Sequence, residues 1–140
     1  MSKLPEIIKG NCFTDERGKI SFNNEFNTSE IKRIYFIENL RLDFVRGWQG
    51  HKLEQRWFMS VTGSFEIKVI KIDQWKNPSK DLQALKYQVN SSTSDVLYIP
   101  AGYITCIKAI EEGSKLMAMS DYRIGEIQDE YRFKINYFNT

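Results

Sequence analysis

Residues 45–55 read Val-Arg-Gly-Trp-Gln-Gly-His-Lys-Leu-Glu-Gln, and they contain the only histidine of the 140-residue chain, His51. An arginine and a lysine of the stretch place fixed positive charges near this imidazole, which titrates close to neutral pH. One glycine precedes the Trp48-Gln49 pair and another follows it, so backbone or ligand can approach closely there. In an extended chain Gln49 and His51 point to one face and Trp48 to the other. The stretch therefore predicts a strand with one reactive face.

Segments with the two-residue period of a β-strand lie on both sides of this stretch. Residues 31–37 are rich in β-branched and aromatic side chains, and residues 65–69 alternate apolar and charged side chains. Further short apolar segments, separated by turn residues, continue to residue 120, and no segment has the pattern of a long amphipathic helix. Around ten short strands with frequent turns predict an all-β sandwich or barrel with little helix.

The length and composition fit one globular domain over residues 1–140, with 41% hydrophobic and 14% aromatic residues. We expect the C-terminal tail, residues 123–140, to pack on the barrel or on a second subunit, because it carries an aromatic face that it cannot bury by itself. The net charge of +2 is too balanced to favour nucleic acid as a partner. No apolar run reaches the roughly 18 to 20 residues of a membrane span, and the N-terminus lacks a signal-peptide core. These features predict a cytoplasmic protein.

Three segments resemble, in this order, the sugar-nucleotide branch of the cupins. They are residues 15–18 (Asp-Glu-Arg-Gly), residues 31–37 followed by 46–55, and residues 99–103 (Ile-Pro-Ala-Gly-Tyr). Together they are similar to the WxcM-like proteins, which include dTDP-4-keto-6-deoxyglucose 3,4-ketoisomerases, and more distantly to the dTDP-4-dehydrorhamnose 3,5-epimerases. The resemblance covers about residues 10–133. It implies a cupin jelly-roll barrel of the RmlC type, a homodimer, a dTDP-sugar in the barrel mouth, and catalysis without a metal or other cofactor.

The central motif departs from that of these relatives at one position. In the ketoisomerases it reads Arg-Gly-aromatic-His-small-His-Lys, and counting from Arg46-Gly47 puts Gln49 at the first histidine and His51 at the second. The second histidine is implied to be the catalytic base. In the epimerases a histidine often follows Pro-Ala-Gly by three positions, where this chain has Thr105. Three hypotheses therefore stay open: 3,4-isomerisation, 3,5-epimerisation, or binding of a sugar nucleotide without turnover.

The predicted catalytic residues are His51, Gln49 and Tyr35. A neutral imidazole, with an unperturbed pKa near roughly 6.5, can remove a proton beside a ketone and return it to the neighbouring carbon. Gln49 can donate a hydrogen bond to a sugar oxygen and help an enediolate form. Tyr35 shares a strand face with Arg33 and is either a hydrogen-bond partner or proton relay for the substrate, or a core aromatic residue.

The predicted substrate-binding residues are cations and aromatic side chains. A planar guanidinium binds phosphate oxygens in two-pronged fashion and keeps its charge when partly desolvated. The cationic candidates are Arg46, Arg17, Arg33 and Lys52. Trp48 can stack on a base or pack in the core. Tyr122 falls where the resembling family often has an Asp-Tyr pair after its last barrel strand.

The chemistry that these residues predict is proton transfer without a metal. A metal cupin needs about three histidines and one carboxylate as ligands, and one histidine cannot supply them. The primary hypothesis is an isomerase that acts on a nucleotide-linked 4-keto-6-deoxysugar through an enediol. Such a step belongs to deoxysugar or polysaccharide biosynthesis.

Overall fold

The computed structural model describes residues 3–140, and short β-strands account for their regular structure. Residues 3–140 contain no helix, so the described part of the chain has none that is long and apolar enough to cross a membrane. The predicted all-β class is confirmed. The strands are β1 (Glu6–Ile8), β2 (Asn11–Asp15), β3 (Gly18–Phe22), β4 (Arg33–Ile37), β5 (Val45–His51), β6 (Arg56–Thr62), β7 (Ser64–Lys71), β8 (Leu85–Asn90), β9 (Val96–Ile99), β10 (Tyr103–Ala109), β11 (Lys115–Ser120) and β12 (Tyr131–Arg132).

Ten of these strands form two antiparallel sheets. The first sheet has the order β1-β9-β6-β11-β4, and the second has the order β12-β5-β10-β7-β8. Neighbours in both sheets are mostly distant in sequence, as in a jelly roll, where strands cross between two packed sheets. The main core fills the space between the sheets and includes the fully buried side chains of Phe58, Phe65, Leu97 and Leu116. Each such side chain stabilises the fold by roughly 1.5–3 kcal/mol relative to exposure.

The remaining two strands form a separate hairpin, β2–β3, which has no other strand beside it. Asp15 pairs with Gly18, and Gly18 has a φ of 132°, a conformation that a side chain would oppose. Most of the hairpin is exposed, including Phe13 and Ile20. The β2–β3 hairpin is therefore a largely exposed arm outside the two sheets.

The C-terminal tail packs against the outer face of the second sheet of its own chain. Strand β12 pairs with β5, and the amide N–H of Phe133 donates to the carbonyl of Trp48 at 2.9 Å. The rings of Trp48 and Phe138 meet edge to face with their centroids 5.6 Å apart. Both side chains are buried with Ile70 and Ile104 in a second apolar cluster. The tail therefore buries the outer face of the second sheet and forms a second core with it.

Candidate active site

Two adjoining cavities open where β4, β5 and β6 meet. The first, of about 300 Å³, is called the His51 chamber and is lined by Arg33, Tyr35, Gln49, His51, Glu54, Arg123, Ile124, Gly125, Ile127, Asp129 and Glu130. The second, of about 410 Å³, is called the Arg56 chamber and is lined by Tyr35, Phe36, Ile37, Glu38, Arg46, Gly47, Gln49, Arg56, Thr105, Ile107 and Arg132. Tyr35 and Gln49 line both, so these two side chains stand at the junction.

Strand β5 brings three predicted residues to these chambers. Gln49 and His51 lie on one face, as the strand alternation predicts. Arg46 would belong to the opposite face, but the pairing of β5 with β10 shifts by one residue between Gln49 and Arg46. Such an irregularity turns the side chains that follow it. It accounts for the position of Arg46 in the Arg56 chamber.

Gly50 allows β5 and β10 to lie close together beside the site. A Cβ atom at this position would come within 2.2 Å of the carbonyl oxygen of Tyr103. Tyr103 pairs with His51, and Ile104 with Gly50. A larger residue would therefore push apart the two strands that carry His51 and Thr105.

His51 is held in a single orientation by the tail. Its Nδ1 atom lies 2.8 Å from the carbonyl oxygen of Asp129. A carbonyl oxygen only accepts, so Nδ1 carries the proton and Nε2 of the neutral ring presents a lone pair. Burial lowers the pKa of His51 to about 4 from the usual 6.5, and the positive charge of Arg56 acts in the same direction. The imidazole is therefore neutral at pH 7 and free to act as a base.

The carboxylate of Asp129 holds the turn that follows β5. It accepts hydrogen bonds from the main-chain N–H groups of Lys52 at 3.0 Å, Leu53 at 2.7 Å and Glu54 at 2.8 Å. Asp129 is itself buried. One residue thus fixes both the ring of His51 and the backbone of residues 52–54.

Glu54 lies against the other side of the His51 ring. Its Oε2 atom is 3.2 Å from Nε2 of His51, and only about a tenth of either side chain is exposed. Burial raises the pKa of the Glu54 carboxyl, and the charge of Asp121 adds to this effect. The two side chains form a close, titratable pair in the wall of the His51 chamber.

Arg56 is a buried cation on the floor of the second chamber. Its guanidinium donates to the hydroxyl of Tyr35 at 3.3 Å, to Oγ1 of Thr105 at 3.4 Å and to the carbonyl of Gln49 at 3.4 Å. All three acceptors are neutral. Among residues 3–140 no carboxylate oxygen lies within 4 Å of this group. A buried positive charge without a paired negative charge is costly, so the chamber is suited to a negatively charged group of a ligand.

The junction between the chambers is polar and ordered. The side-chain amide of Gln49 donates a hydrogen bond to the carboxylate of Glu130. The guanidinium of Arg33 stacks on the ring of Tyr35, 4.4 Å from its centroid. Arg33 and Tyr35 share one face of β4, as the sequence predicts. A ligand at the junction therefore meets a phenol, an amide and two guanidinium groups.

The structure does not bring four predicted substrate-binding residues to the chambers. Arg17 lies in the exposed turn of the β2–β3 hairpin and forms an ion pair with Asp15 at 2.6 Å. The side chain of Lys52 is exposed and lines neither chamber. Trp48 is buried under the tail, as in the second of its two predicted alternatives, packing in the core.

Tyr122 is the fourth of these residues. Its ring is half-buried, with the ammonium of Lys32 5.9 Å from its centroid, and it lines neither chamber. The described residues contain no group of three or more histidine, cysteine, aspartate or glutamate side chains arranged to hold a metal ion.

Comparison of the sequence with protein-family models matches residues 1–138 to the family described as WxcM-like, C-terminal. The chain belongs to this WxcM-like family. The match confirms the family predicted from the motif at residues 46–55. A search of curated proteins gave no match.

Solved structures share the fold of this WxcM-like chain. The QdtA 3,4-ketoisomerase from Thermoanaerobacterium thermosaccharolyticum, in complex with TDP, has 24% identity and a TM-score of 0.71, over 99% of this chain and 94% of that one. The WlaRB TDP-quinovose 3,4-ketoisomerase from Campylobacter jejuni has 21% identity and a TM-score of 0.69, over 99% and 100%. The dTDP-4-dehydrorhamnose 3,5-epimerase from Bacillus anthracis has 13% identity and a TM-score of 0.69, over 87% and 75%. The predicted cupin jelly roll is confirmed.

Three residues that build the site were not among the sequence-based candidates. Arg56 and Glu54 are close to His51 in sequence. Arg56 lies two positions before the inward-pointing Phe58, and so on the same face of β6. Asp129 is separated from the residues it holds by more than 70 positions, and no local pattern of the tail indicates its contacts.

Proposed function

We propose that this chain is a metal-independent isomerase that converts a nucleotide-linked 4-keto-6-deoxysugar into its 3-keto isomer, in deoxysugar or polysaccharide biosynthesis. The main support is the state of His51. Its Nδ1 proton is held by the carbonyl of Asp129, its Nε2 atom lies 3.2 Å from Oε2 of Glu54, and the ring lines a chamber that adjoins a buried cation. A base and a nearby positive charge are the two groups that enolisation of a ketone needs.

The sugar ring occupies the junction between the chambers in this proposal. Nε2 of His51 removes the proton from C3, and the positive charge of Arg56 stabilises the negative charge that develops on the sugar oxygens. Tyr35 and Gln49 donate hydrogen bonds to the ring and orient it. The similarity to structures described with TDP supports a thymidine nucleotide as the carrier.

The diphosphate lies towards the arginines that line the two chambers in this proposal. Arg46 and Arg132 line the Arg56 chamber, and Arg33 lines the His51 chamber. Guanidinium groups bind phosphate oxygens in two-pronged fashion. Arg17 and Lys52 have no part in this site within one chain, because neither side chain lines a chamber.

A second copy of the chain covers the outer face of the first sheet in this proposal. Ile34 and Phe36 on β4 are each 56% exposed, and Val61 on β6 is 45% exposed. The half-buried Met117 of β11 pairs with Phe36 on one side and Met59 on the other, which makes the apolar surface continuous. An apolar sheet face of this kind is typical of an interface between subunits.

Isotope exchange tests the activity directly. The chain is incubated with dTDP-4-keto-6-deoxyglucose in deuterated water, and the C3 proton signal is followed by NMR. We expect loss of that signal and a carbonyl group at C3 of the product. We expect the His51→Asn variant to keep the fold and to abolish both.

The products of the same experiment decide between this proposal and its two alternatives. Inversion at C5 without movement of the keto group would identify a 3,5-epimerase, although Gln49 stands where those enzymes carry a histidine. Binding of the nucleotide sugar in calorimetry, with no exchange at C3 or C5, would identify a binding protein. No exchange with any dTDP-4-keto sugar would contradict the proposed isomerase.

A further inference from the structure

We propose that Glu54 is a second proton-transferring residue, working with His51 as an acid–base couple, a role that rests on the proposed isomerase function. Isomerisation has to move a proton from C3 to C4 and a second one from the C3 oxygen to the C4 oxygen. An imidazole with one free nitrogen handles the first of these. The amide of Gln49 cannot exchange protons at neutral pH, so a titratable side chain has to carry the second. Tyr35 and Glu54 both line the His51 chamber, and Glu54 is in direct contact with the base.

The geometry requires a proton between Glu54 and His51. Nδ1 of His51 already donates to the carbonyl of Asp129, so the neutral ring presents only a lone pair at Nε2. An ionised carboxylate also presents only lone pairs. Their 3.2 Å contact is therefore favourable only when a proton lies on one of the two atoms.

The surroundings place that proton on Glu54 in the free protein. Burial opposes the charged form of both groups, and the positive charge of Arg56 further opposes an imidazolium. Asp121 favours the protonated carboxyl, whereas Ser120, Arg56 and Arg33 favour the carboxylate. Asp129 and Glu130 favour the imidazolium. The 3.2 Å contact resembles an ion pair, but burial, the largest influence on the pKa of each group, favours a neutral acid beside a neutral imidazole.

This arrangement gives a cycle in which every proton is returned. Nε2 of His51 takes the C3 proton, the C3–H electron pair forms a C3–C4 double bond, and the C4 carbonyl oxygen takes the proton of Glu54. The intermediate is a neutral enediol beside an imidazolium and a carboxylate. The imidazolium then protonates C4, while the Glu54 carboxylate removes the proton of the C3 oxygen as the C3 carbonyl forms. Both residues end as they began.

The Glu54→Gln variant separates this role from a structural one. Glutamine keeps the size of the side chain and can still donate a hydrogen bond to Nε2, but it cannot exchange a proton. We expect kcat for isomerisation to fall about 100-fold or more, the usual contribution of general acid–base catalysis, with unchanged affinity for dTDP. The alkaline limb of the wild-type pH–rate profile is expected to disappear. Glu66→Gln is the matched control, because Glu66 lies on β7 in an exposed pair with Lys86.

The outcomes separate this role from the proposed function. If the wild type isomerises the sugar and Glu54→Gln does so within about three-fold, with the same pH profile, Glu54 is not a proton carrier and the isomerase activity stands. If the wild type exchanges no C3 proton, the isomerase proposal fails, and the role of Glu54 fails with it.

A second measurement needs no substrate. His51 is the only histidine, so its nitrogen signals in a ¹⁵N NMR spectrum are unambiguous. We expect a protonated Nδ1 and an unprotonated Nε2 at pH 7 in both the wild type and Glu54→Gln. An imidazolium in the wild type that becomes neutral in Glu54→Gln would place the resting proton on His51 and overturn the cycle.

Discussion

The main-chain carbonyl of Asp129 lies 2.8 Å from Nδ1 of His51, although 78 positions separate the two residues in sequence. The carboxylate of the same residue accepts three N–H groups from the turn that leads to Glu54. The tail therefore does more than cover a sheet. It fixes the tautomer of the imidazole and the position of its carboxyl partner, so the first prediction concerns Asp129.

We expect Asp129→Ala to lower the free energy of unfolding by roughly 2–4 kcal/mol, measured by urea denaturation. The substitution leaves buried N–H groups without an acceptor, and hydrogen bonds to charged groups are among the stronger ones in proteins. It also releases the backbone of residues 52–54. We therefore expect the activity to fall by more than the decrease in the folded fraction of the protein explains. The main-chain carbonyl that accepts from Nδ1 is retained, so the ¹⁵N signals of His51 are expected to show the same tautomer as in the wild type.

Asp73→Ala is a suitable control for this change. Asp73 also accepts two main-chain N–H groups, from Gln74 at 2.8 Å and Ser79 at 3.2 Å, but in an exposed loop where water can replace it. Its substitution is expected to cost less than about 1 kcal/mol. An equal loss in both variants would show that the burial of Asp129 has no special effect.

The contrast between Asp129 and His51 shows how far the sequence could predict the site. Alternation along residues 45–51 correctly places Gln49 and His51 on one face, because strand geometry is local. Arg56 was missed since both faces of β6 carry large apolar side chains, Trp57 on one and Phe58 on the other. The first sheet is covered on both faces at this point, and alternation then does not distinguish inside from outside.

Trp48 shows why the sequence left two alternatives open. A tryptophan beside a reactive face can stack on a ligand, and nothing within residues 45–55 excludes this. Its burial depends on Phe138, 90 positions later, and on a tail that closes over the second sheet. Contacts of this kind arise from the tertiary structure, so no local pattern could have predicted them.

The pH dependence of stability offers a second prediction. Between pH 6.5 and about 4 the unfolded chain binds a proton at its histidine and the folded chain does not. Protonation thus favours the unfolded state, and the free energy of unfolding falls as the pH is lowered through this range. The difference of about 2.5 pKa units corresponds to about 3 kcal/mol. His51→Asn is expected to lack this loss.

The measurement compares Glu54→Gln with the double variant that also carries His51→Asn. The pKa of Glu54 is raised in the folded state. Glu54 therefore stabilises the folded state at low pH, below the pKa that it has in the unfolded chain, and this contribution is lost as the pH rises. Its effect on stability is opposite to that of His51. Replacing Glu54 in both proteins removes that contribution. Identical slopes of stability against pH would contradict a depressed pKa at His51.

Arg56 gives a third prediction, in which stability and activity change in opposite directions. Arg56→Met removes a buried charge that has no carboxylate partner and leaves a side chain of similar length in its place. We expect the free energy of unfolding to stay the same or to rise by about 1–2 kcal/mol, because burying an unpaired charge is costly. The value of kcat/KM is expected to fall at least about 100-fold, the usual effect of losing an oxyanion-stabilising group.

The same variant changes the titration of His51. Arg56 is one of the causes of its low pKa, so we expect the pKa measured from the ¹⁵N signals to rise in Arg56→Met. Arg123→Met is the control on the wall of the His51 chamber, since Arg123 is exposed and pairs with Glu126 at 3.9 Å. A large loss of stability in Arg56→Met would mean that its hydrogen bonds to neutral oxygens hold the barrel together.

The apolar outer face of the first sheet provides the last prediction. Phe36 is more than half exposed on this face, on the edge strand β4, and an aspartate there would place a charge inside the proposed subunit contact. We expect the wild type to sediment as a dimer and Phe36→Asp as a monomer, because an unpaired charge buried in an interface opposes association. Leu85→Asp is the matched control, on the edge strand β8 of the other sheet and 50% exposed. It is expected to remain dimeric, and a monomer in Leu85→Asp alone would move the contact to the second sheet.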